Sequence, residues 1–285
     1  MKSIDLDALR ERVKRLVQEA NFVLPEDVSA RLEAAAAAEE SEAGKEVFRE
    51  LRENAEIASA EGLGLCQDTG LAVFFVEVGE GVRFESRDPA DSLRRAIEEG
   101  MIAGYGEGCL RKSVVADPLR RANTGTNAPA FIHWEVVPGD SLKVTFMAKG
   151  GGAENWSAIR MFPPSAGQEA VEDFVVATVD RAGPAACPPL VVGVGLGGNF
   201  EVAPLLAKKA LLRKPLGASH PDAFYATMEG RLLERINGLG IGPQGLGGRT
   251  TALAVHVETA PCHIASLPAA VNIQCHSHRV LGFTY

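Results

Sequence analysis

No apolar run in the sequence approaches the ~18 residues that a membrane-spanning helix requires, so no membrane partner is expected. Basic residues are in the minority: 29 Lys and Arg against 37 Asp and Glu give a net charge of −8. A nucleic-acid partner wants a basic face, which this balance does not supply. Cysteine is scarce, with five in 285 residues, at Cys66, Cys109, Cys187, Cys262 and Cys275. An odd and widely spaced set is not a disulfide framework, and it leaves metal binding, catalysis or packing. The opening MKSIDLDALRERVKRL has acids in its first turns and no apolar core, unlike a secretory signal, so the expected compartment is the cytoplasm. The remaining composition, 46% hydrophobic, 23% charged and 6% aromatic, is ordinary for a soluble enzyme. No internal repeat or linker stands out, and the length suffices to bury a substantial core. A single unit over 1–285 is expected.

What is present reads as helices first. Leu9, Val13, Leu16 and Val17 recur at helical spacing, Pro25 suits the first turn of a second helix, and a third helix runs to Gly62. Beyond that helical N-terminal cap, about 1–62, the texture changes. LAVFFVEVG is a strand, and DSLRRAIEEGMIAGY is a helix that Asp91 or Ser92 can cap. FIHWEVV and SLKVTFMA alternate around PGD, a hairpin signal. QEAVEDFVVATVDRAG is a helix, LVVGVG a buried strand, EVAPLLAKKALLR and HPDAFYATMEGRLLERINGLG helices, and TTALAVHVE and AVNIQC strands. Strands and helices interleave without a regular βαβ beat. The fold class is therefore α+β, with mixed sheets and helices following the helical cap.

Several stretches carry chemistry. In GLGLCQDTG, Cys66 stands beside Gln67, Asp68 and Thr69 between glycines, which let a backbone turn tightly near a ligand. Gly193, Gly195 and Gly198 make a G-x-G-x-x-G after a strand. The region where a dinucleotide site needs a second strand and an acid is RKPLGASHPD, so these glycines are read as packing positions. AKGGGAENWS can cradle an anion on backbone N–H groups or serve as a flexible hairpin exit, and it lacks the P-loop order. NTGTNAP offers turn residues before a strand. Cys262, His263, Cys275, His276 and His278 include enough donors for a zinc site, although their spacing fits no familiar finger. Three thiolates could instead hold an iron–sulfur cluster with one iron open as a Lewis acid. Five cysteines allow ten triples, and spacing does not choose among them.

Five motifs in order, LCQDTG, NTGTNAP, AKGGGAENWS, ACPPLVVGVGLGG and HIASLPAAVNIQCHSHR, resemble the class I (iron–sulfur) fumarase and tartrate dehydratase family over nearly the whole chain. The resemblance implies a [4Fe–4S] cluster held by Cys66, Cys187 and Cys275, with Cys109 and Cys262 left as packing residues. It implies that Gln67 and Asp68 face the substrate and that Arg111 clamps a carboxylate, a task suited to a planar guanidinium. His263 takes the position of the family's active-site histidine, and Gly151 supplies backbone contacts to substrate. Asp68 and His263 are the expected catalytic pair.

Single-chain members of the family continue into a further domain beyond the third cysteine, whereas this chain ends ten residues after it. The resemblance therefore implies an α subunit whose β subunit completes the active site, with α self-association into an α2β2 assembly. The expected reaction is reversible hydration of a C4 dicarboxylate, fumarate to (S)-malate. The alternatives are tartrate dehydration to oxaloacetate and, from a different class, a non-catalytic metal-binding scaffold.

Overall fold

The apolar stripe Leu9, Val13, Leu16 and Val17 is fully turned inward in the computed structural model, which describes residues 2–285. It lies on helix α1 (Leu6–Phe22), where the Asp5 carboxylate caps the first turn by accepting the Asp7 N–H at 2.8 Å. A short strand, β1 (Lys2–Asp5), precedes it where the sequence reads as helix from the start. Helices α2 (Glu26–Ala38) and α3 (Glu42–Glu61) follow, so the first 62 residues are helical apart from β1 and the connections. Next come β2 (Leu71–Gly79), β3 (Val82–Glu85), α4 (Leu93–Glu107, capped by Ser92), β4 (Phe131–Val137) and β5 (Leu142–Lys149). The short α5 (Gly151–Glu154) leads to β6 (Ala158–Phe162), α6 (Gly167–Ala182), β7 (Leu190–Gly198), α7 (Val202–Ala210) and α8 (Ala223–Asn237). Strands β8 (Ala252–Cys262), β9 (Leu267–Gln274) and β10 (Val280–Thr284) close the chain, a mixed α+β fold as expected.

The residues group into two compact units. Residues 1–25, 54–151 and 279–285 form one, and 26–53 with 152–278 form the other. No linker marks the crossings because two of them fall inside helices, within α3 and within α5.

The first unit holds a four-stranded sheet in the order β10-β5-β2-β4, together with the parallel pair β1-β3. Its core packs α1 and α4 against Phe74, Val76, Val144 and Phe146. The expected hairpin of FIHWEVV with SLKVTFMA does not form. Strand β2 lies between them, parallel to β4 and antiparallel to β5. Burial explains the order: β2 is covered along most of its length and takes the centre, whereas β4 is mostly exposed and takes the edge.

The second unit holds the sheet β6-β9-β7-β8, with β7 parallel to β8 and antiparallel to β9. Successive residues of a strand point to opposite faces, and β7 uses this strictly. Val192 and Val194 join the core with α6 and α8. Gly193 and Gly195 face α7 so closely that a Cβ on either would come within 2.1 Å of a carbonyl oxygen of that helix, Ala207 or Ala203. The G-x-G-x-x-G is thus a packing device.

On β8, His256 is buried, its Nδ1 lies 3.1 Å from the Ala210 carbonyl oxygen, and its Nε2 accepts the Gly217 N–H at 3.1 Å. Burial, helped by the nearby Arg213 charge, pushes its pKa down to about 4. The unfolded chain, with a histidine near its ordinary value of ~6.5, therefore binds the extra proton more tightly. Stability from this group is complete above about pH 6.5 and declines towards pH 4, by about 3 kcal/mol in all. Urea unfolding between pH 7 and pH 4.5 should show this loss, and His256→Asn should reduce the slope, leaving the part carried by the likewise buried His278. An unchanged slope in the variant would show that other groups carry the pH dependence.

Candidate active site

The loop between α3 and β2 has its buried backbone groups tied down one by one. Leu65 donates its N–H to the Asn21 carbonyl at 2.8 Å and accepts from Asn54 Nδ2 at 2.9 Å. The Tyr105 hydroxyl donates to the Thr69 carbonyl at 2.8 Å, and Asn127 Nδ2 donates to the Gly70 carbonyl at 3.2 Å. Burial pushes the Tyr105 phenol up, which keeps it a donor. Gly70 takes a left-handed backbone (φ 70°), and a Cβ there would come within 2.5 Å of the Lys149 carbonyl oxygen. With its flanks held, the loop leaves Gln67 exposed and Cys66 and Asp68 half-buried.

The Asp68 carboxylate is oriented by two backbone donors, Gly70 N–H on Oδ1 at 3.1 Å and Gly151 N–H on Oδ2 at 2.7 Å. Thr69 Oγ1 donates to the Arg111 carbonyl at 2.6 Å, which ties the segment carrying Arg111 to the same loop. The Arg111 side chain is exposed. The segments carrying four residues read as substrate-facing, Gln67, Asp68, Arg111 and Gly151, are thus joined by hydrogen bonds within the first unit. The Gly151 N–H is occupied by Asp68, so in this structure Gly151 orients a carboxylate.

Within the second unit, Cys187 precedes β7 and Cys275 follows β9. These two strands run antiparallel with Val191 opposite Gln274, so both thiols stand at one end of the sheet. The His276 N–H donates to the Cys187 carbonyl at 3.3 Å, and Cys275 Sγ lies 3.2 Å from Ser277 Oγ. Cys187 is exposed and its backbone is left-handed (φ 56°), a conformation that concentrates at functional sites. Cys109 shares such a backbone (φ 50°), so the pairing with Cys275, not strain, singles out Cys187. Cys109 and Cys262, expected as packing residues, are exposed instead, Cys109 beyond the end of α4 and Cys262 at the last position of β8.

His263 is not brought to the cysteine pair. Cys262 stands opposite Gly198 at the far end of β7, roughly 26 Å from its start at ~3.3 Å per residue, and His263 is exposed just beyond. The same separation breaks the zinc set. Strand β9 puts Cys262 and His263 at one end and Cys275 and His276 at the other. His278 is buried, and burial pushes its pKa down to about 3. Among the described residues, no group of three or more His, Cys, Asp or Glu side chains is placed to hold a metal ion. Nor is any described helix long and apolar enough to cross a membrane.

Comparison with known proteins gives concordant results. The profile of the family described as fumarate hydratase (Fumerase) matches residues 10–284. A Methanocaldococcus jannaschii protein, provisionally named L(+)-tartrate dehydratase subunit alpha, is 43% identical over 273 residues, covering 94% of each chain. The L(+)-tartrate dehydratase subunit alpha of Escherichia coli O157:H7 is 36% identical over 279 residues, covering 96% of this chain and 89% of its own. The K12 strain's subunit of the same name is 34% identical over the same length.

One residue of the site carried no signal of its own in the sequence. Arg279 is 1% exposed, donating through Nη2 to the Asp68 carbonyl at 2.7 Å and through Nη1 to Asn21 Oδ1 at 3.0 Å. Its position in HSHRV, just past the last cysteine, was the only hint. Arg279→Met should leave the buried Asn21 Oδ1 and the half-buried Asp68 carbonyl without this donor and cost about 2–4 kcal/mol. Chemical denaturation checks this, and a loss below ~1 kcal/mol would remove Arg279 as the brace of the loop.

Proposed function

The chain belongs to the fumarate hydratase (Fumerase) family, and from that premise we propose that it is the α subunit of a two-subunit hydro-lyase acting on a C4 dicarboxylate. The observation that carries the reading is the convergence of Gln67, Asp68, Arg111 and Gly151 on one braced loop. The reaction is the reversible hydration of fumarate to (S)-malate. Tartrate dehydration to oxaloacetate is the second reading, favoured by the names of the relatives.

In this reading the Arg111 guanidinium fork binds a substrate carboxylate, and the Gln67 amide meets the substrate beside it. Asp68, held by the Gly70 and Gly151 N–H groups, keeps one lone pair on each oxygen to take or return a proton at the carbon that gains or loses hydrogen. The cofactor is a [4Fe–4S] cluster. The donor set suits it: none of the five cysteines is in a disulfide, and two of the three proposed ligands, Cys187 and Cys275, lie at adjacent strand ends. Cys66, on the braced loop, would be the third. When bound, a cluster with three protein thiolates supplies an open iron, a Lewis acid for the substrate's carboxylate and hydroxyl.

The position of His263 gives the assembly a role. One copy of the second unit keeps His263 a strand's length from its own cysteine pair, so a catalytic His263 serves a site completed by another copy. The α chain then self-associates, in an α2β2 assembly, and the β subunit caps the site and brings the remaining charge-neutralising groups. A dicarboxylate carries two negative charges, and one arginine leaves one of them poorly matched in a partly desolvated site. Cysteines without disulfides and a cluster ligand set fit a reducing compartment, the cytoplasm.

Anaerobic co-purification with the β subunit, followed by metal analysis and assays on fumarate, malate and both tartrate enantiomers, tests the proposal. About four irons and four sulfides per α chain are expected, whereas a single zinc would favour the scaffold alternative. Cys66→Ser, Cys187→Ser and Cys275→Ser should each lose iron and activity, while Cys109→Ser and Cys262→Ser keep both. A full cluster in any of the first three would overturn the ligand assignment. Reconstituted α alone should turn over little or no substrate, and full activity without β would remove the need for a partner.

Arg111→Lys retains the charge but loses the fork. It should lower kcat/KM by roughly tenfold to a thousandfold with iron content unchanged. Wild-type kinetics would make Arg111 a bystander.

A further inference from the structure

The turn that carries Cys187 reads CPPL, and its two prolines have no N–H. The Cys187 N–H donates to the Pro184 carbonyl at 3.0 Å, and the next N–H, that of Leu190, donates to the Thr251 carbonyl at 2.8 Å. Between these two donors the backbone can be held only through its carbonyls. One of them is held twice. The Pro188 carbonyl accepts the Gln244 backbone N–H at 2.8 Å and the Gln244 side chain, through Nε2, at 2.7 Å. Because the proline ring fixes φ, little slack separates that carbonyl from the Cys187 Cα.

Gln244 is an unexpected residue for its position. Six of the eleven residues from 238 to 248 are glycine, and Gly240, Gly242, Gly245 and Gly247 take the left-handed backbone that favours glycine. Position 244 is left-handed too (φ 51°, ψ 16°), yet it holds a glutamine. A loop that needed only to turn would take glycine there as well, so the conformational cost points to a use for the amide. The loop around it is fixed. A Cβ on Gly245 would come within 2.4 Å of Pro184 Cβ, and the Glu39 carboxylate accepts the Arg249 N–H at 2.9 Å. All of these groups belong to the second unit.

We infer that Gln244 is a positioning residue for Cys187: its amide anchors the Pro188 carbonyl and so sets the direction in which the thiol is presented. The Cys187 carbonyl accepts the His276 N–H at 3.3 Å, so the anchored turn is also the one that meets the Cys275 segment. The inference rests on the cluster reading only for its metal consequence, because the hold on the turn can be measured in metal-free protein.

Gln244→Gly separates the two roles a residue could have here. It removes the amide donor and relieves the left-handed backbone, so a residue needed only for the turn would be replaced without loss. Hydrogen–deuterium exchange of the metal-free full-length chain, read on peptides covering 183–190, should speed up about threefold to tenfold, the equivalent of one net hydrogen bond. Peptides within α6 should stay within about twofold of wild type. Gln244→Met, which lacks the donor but keeps the length, should behave in the same way. In the anaerobically reconstituted αβ assembly, Gln244→Gly should release iron to a chelator about tenfold to a hundredfold faster, the usual effect of losing a group that orients a ligand.

Wild-type exchange at 183–190 in Gln244→Gly would overturn the proposal. Faster exchange in Gln244→Met but not in Gln244→Gly would also do so, since backbone strain would then account for it. So would an equal speed-up within α6, because the substitution would then act on the whole unit. Should either variant fail to fold, the other carries the test. Faster exchange confined to the turn, with iron held as in wild type, would leave Gln244 the anchor of the turn and overturn its bearing on the metal. A wild-type assembly without iron would refute the cluster reading, while the exchange result would still decide the role of Gln244.

Discussion

The loop carrying Cys66 must bury part of its own backbone while presenting polar side chains, and the first unit is organised around that requirement. A buried peptide group without a partner costs roughly 1–3 kcal/mol, enough for a few such groups to undo a marginally stable domain. Asn21, Asn54, Tyr105, Asn127 and Arg279 meet the need from five separate segments. Because the peptide groups on both sides are fixed, the side chains between them have a defined direction. Asp68 is the clearest case: its carbonyl is held by a buried guanidinium and its carboxylate by two backbone N–H groups.

The second unit reaches order by a different route, through strand alternation. Strand β7 gives Val192 and Val194 to the larger helical layer and Gly193 and Gly195 to α7, which approaches until there is no room for a methyl group. Antiparallel pairing with β9 then sets Cys187 and Cys275 at the same end of the sheet. The same geometry carries Cys262 and His263 to the opposite end. An extended strand is stiff over its length, so no local rearrangement reconciles the two ends within one copy. This is the physical ground for assigning the histidine to a shared site in the proposed assembly.

The two ends of the glycine-rich turn at α5 belong to different units. Its first residue donates to a proposed catalytic carboxylate, and its last is held by an ion pair and a buried amide.

Much of this was determined by the sequence alone. Periodicity and capping residues placed α1, α4, α6 and α8, and the run LAVFFVEVG marked β2, because local patterns of apolar residues dictate local structure. The motifs LCQDTG and AKGGGAENWS marked the residues that converge on Asp68, since their polar side chains and glycines have no use in a plain core. Tertiary structure decided the rest. PGD signalled a hairpin, yet β2, a strand distant in sequence, outcompeted the local partner because it had two faces to bury. Arg279 was one basic residue among many until the fold buried it against Asn21 and Asp68. His263 and Cys275 are twelve residues apart in the chain, and only strand geometry separates them by the length of a sheet. Spacing along a sequence records how much chain lies between two residues, whereas pairing and burial decide how far apart they stand.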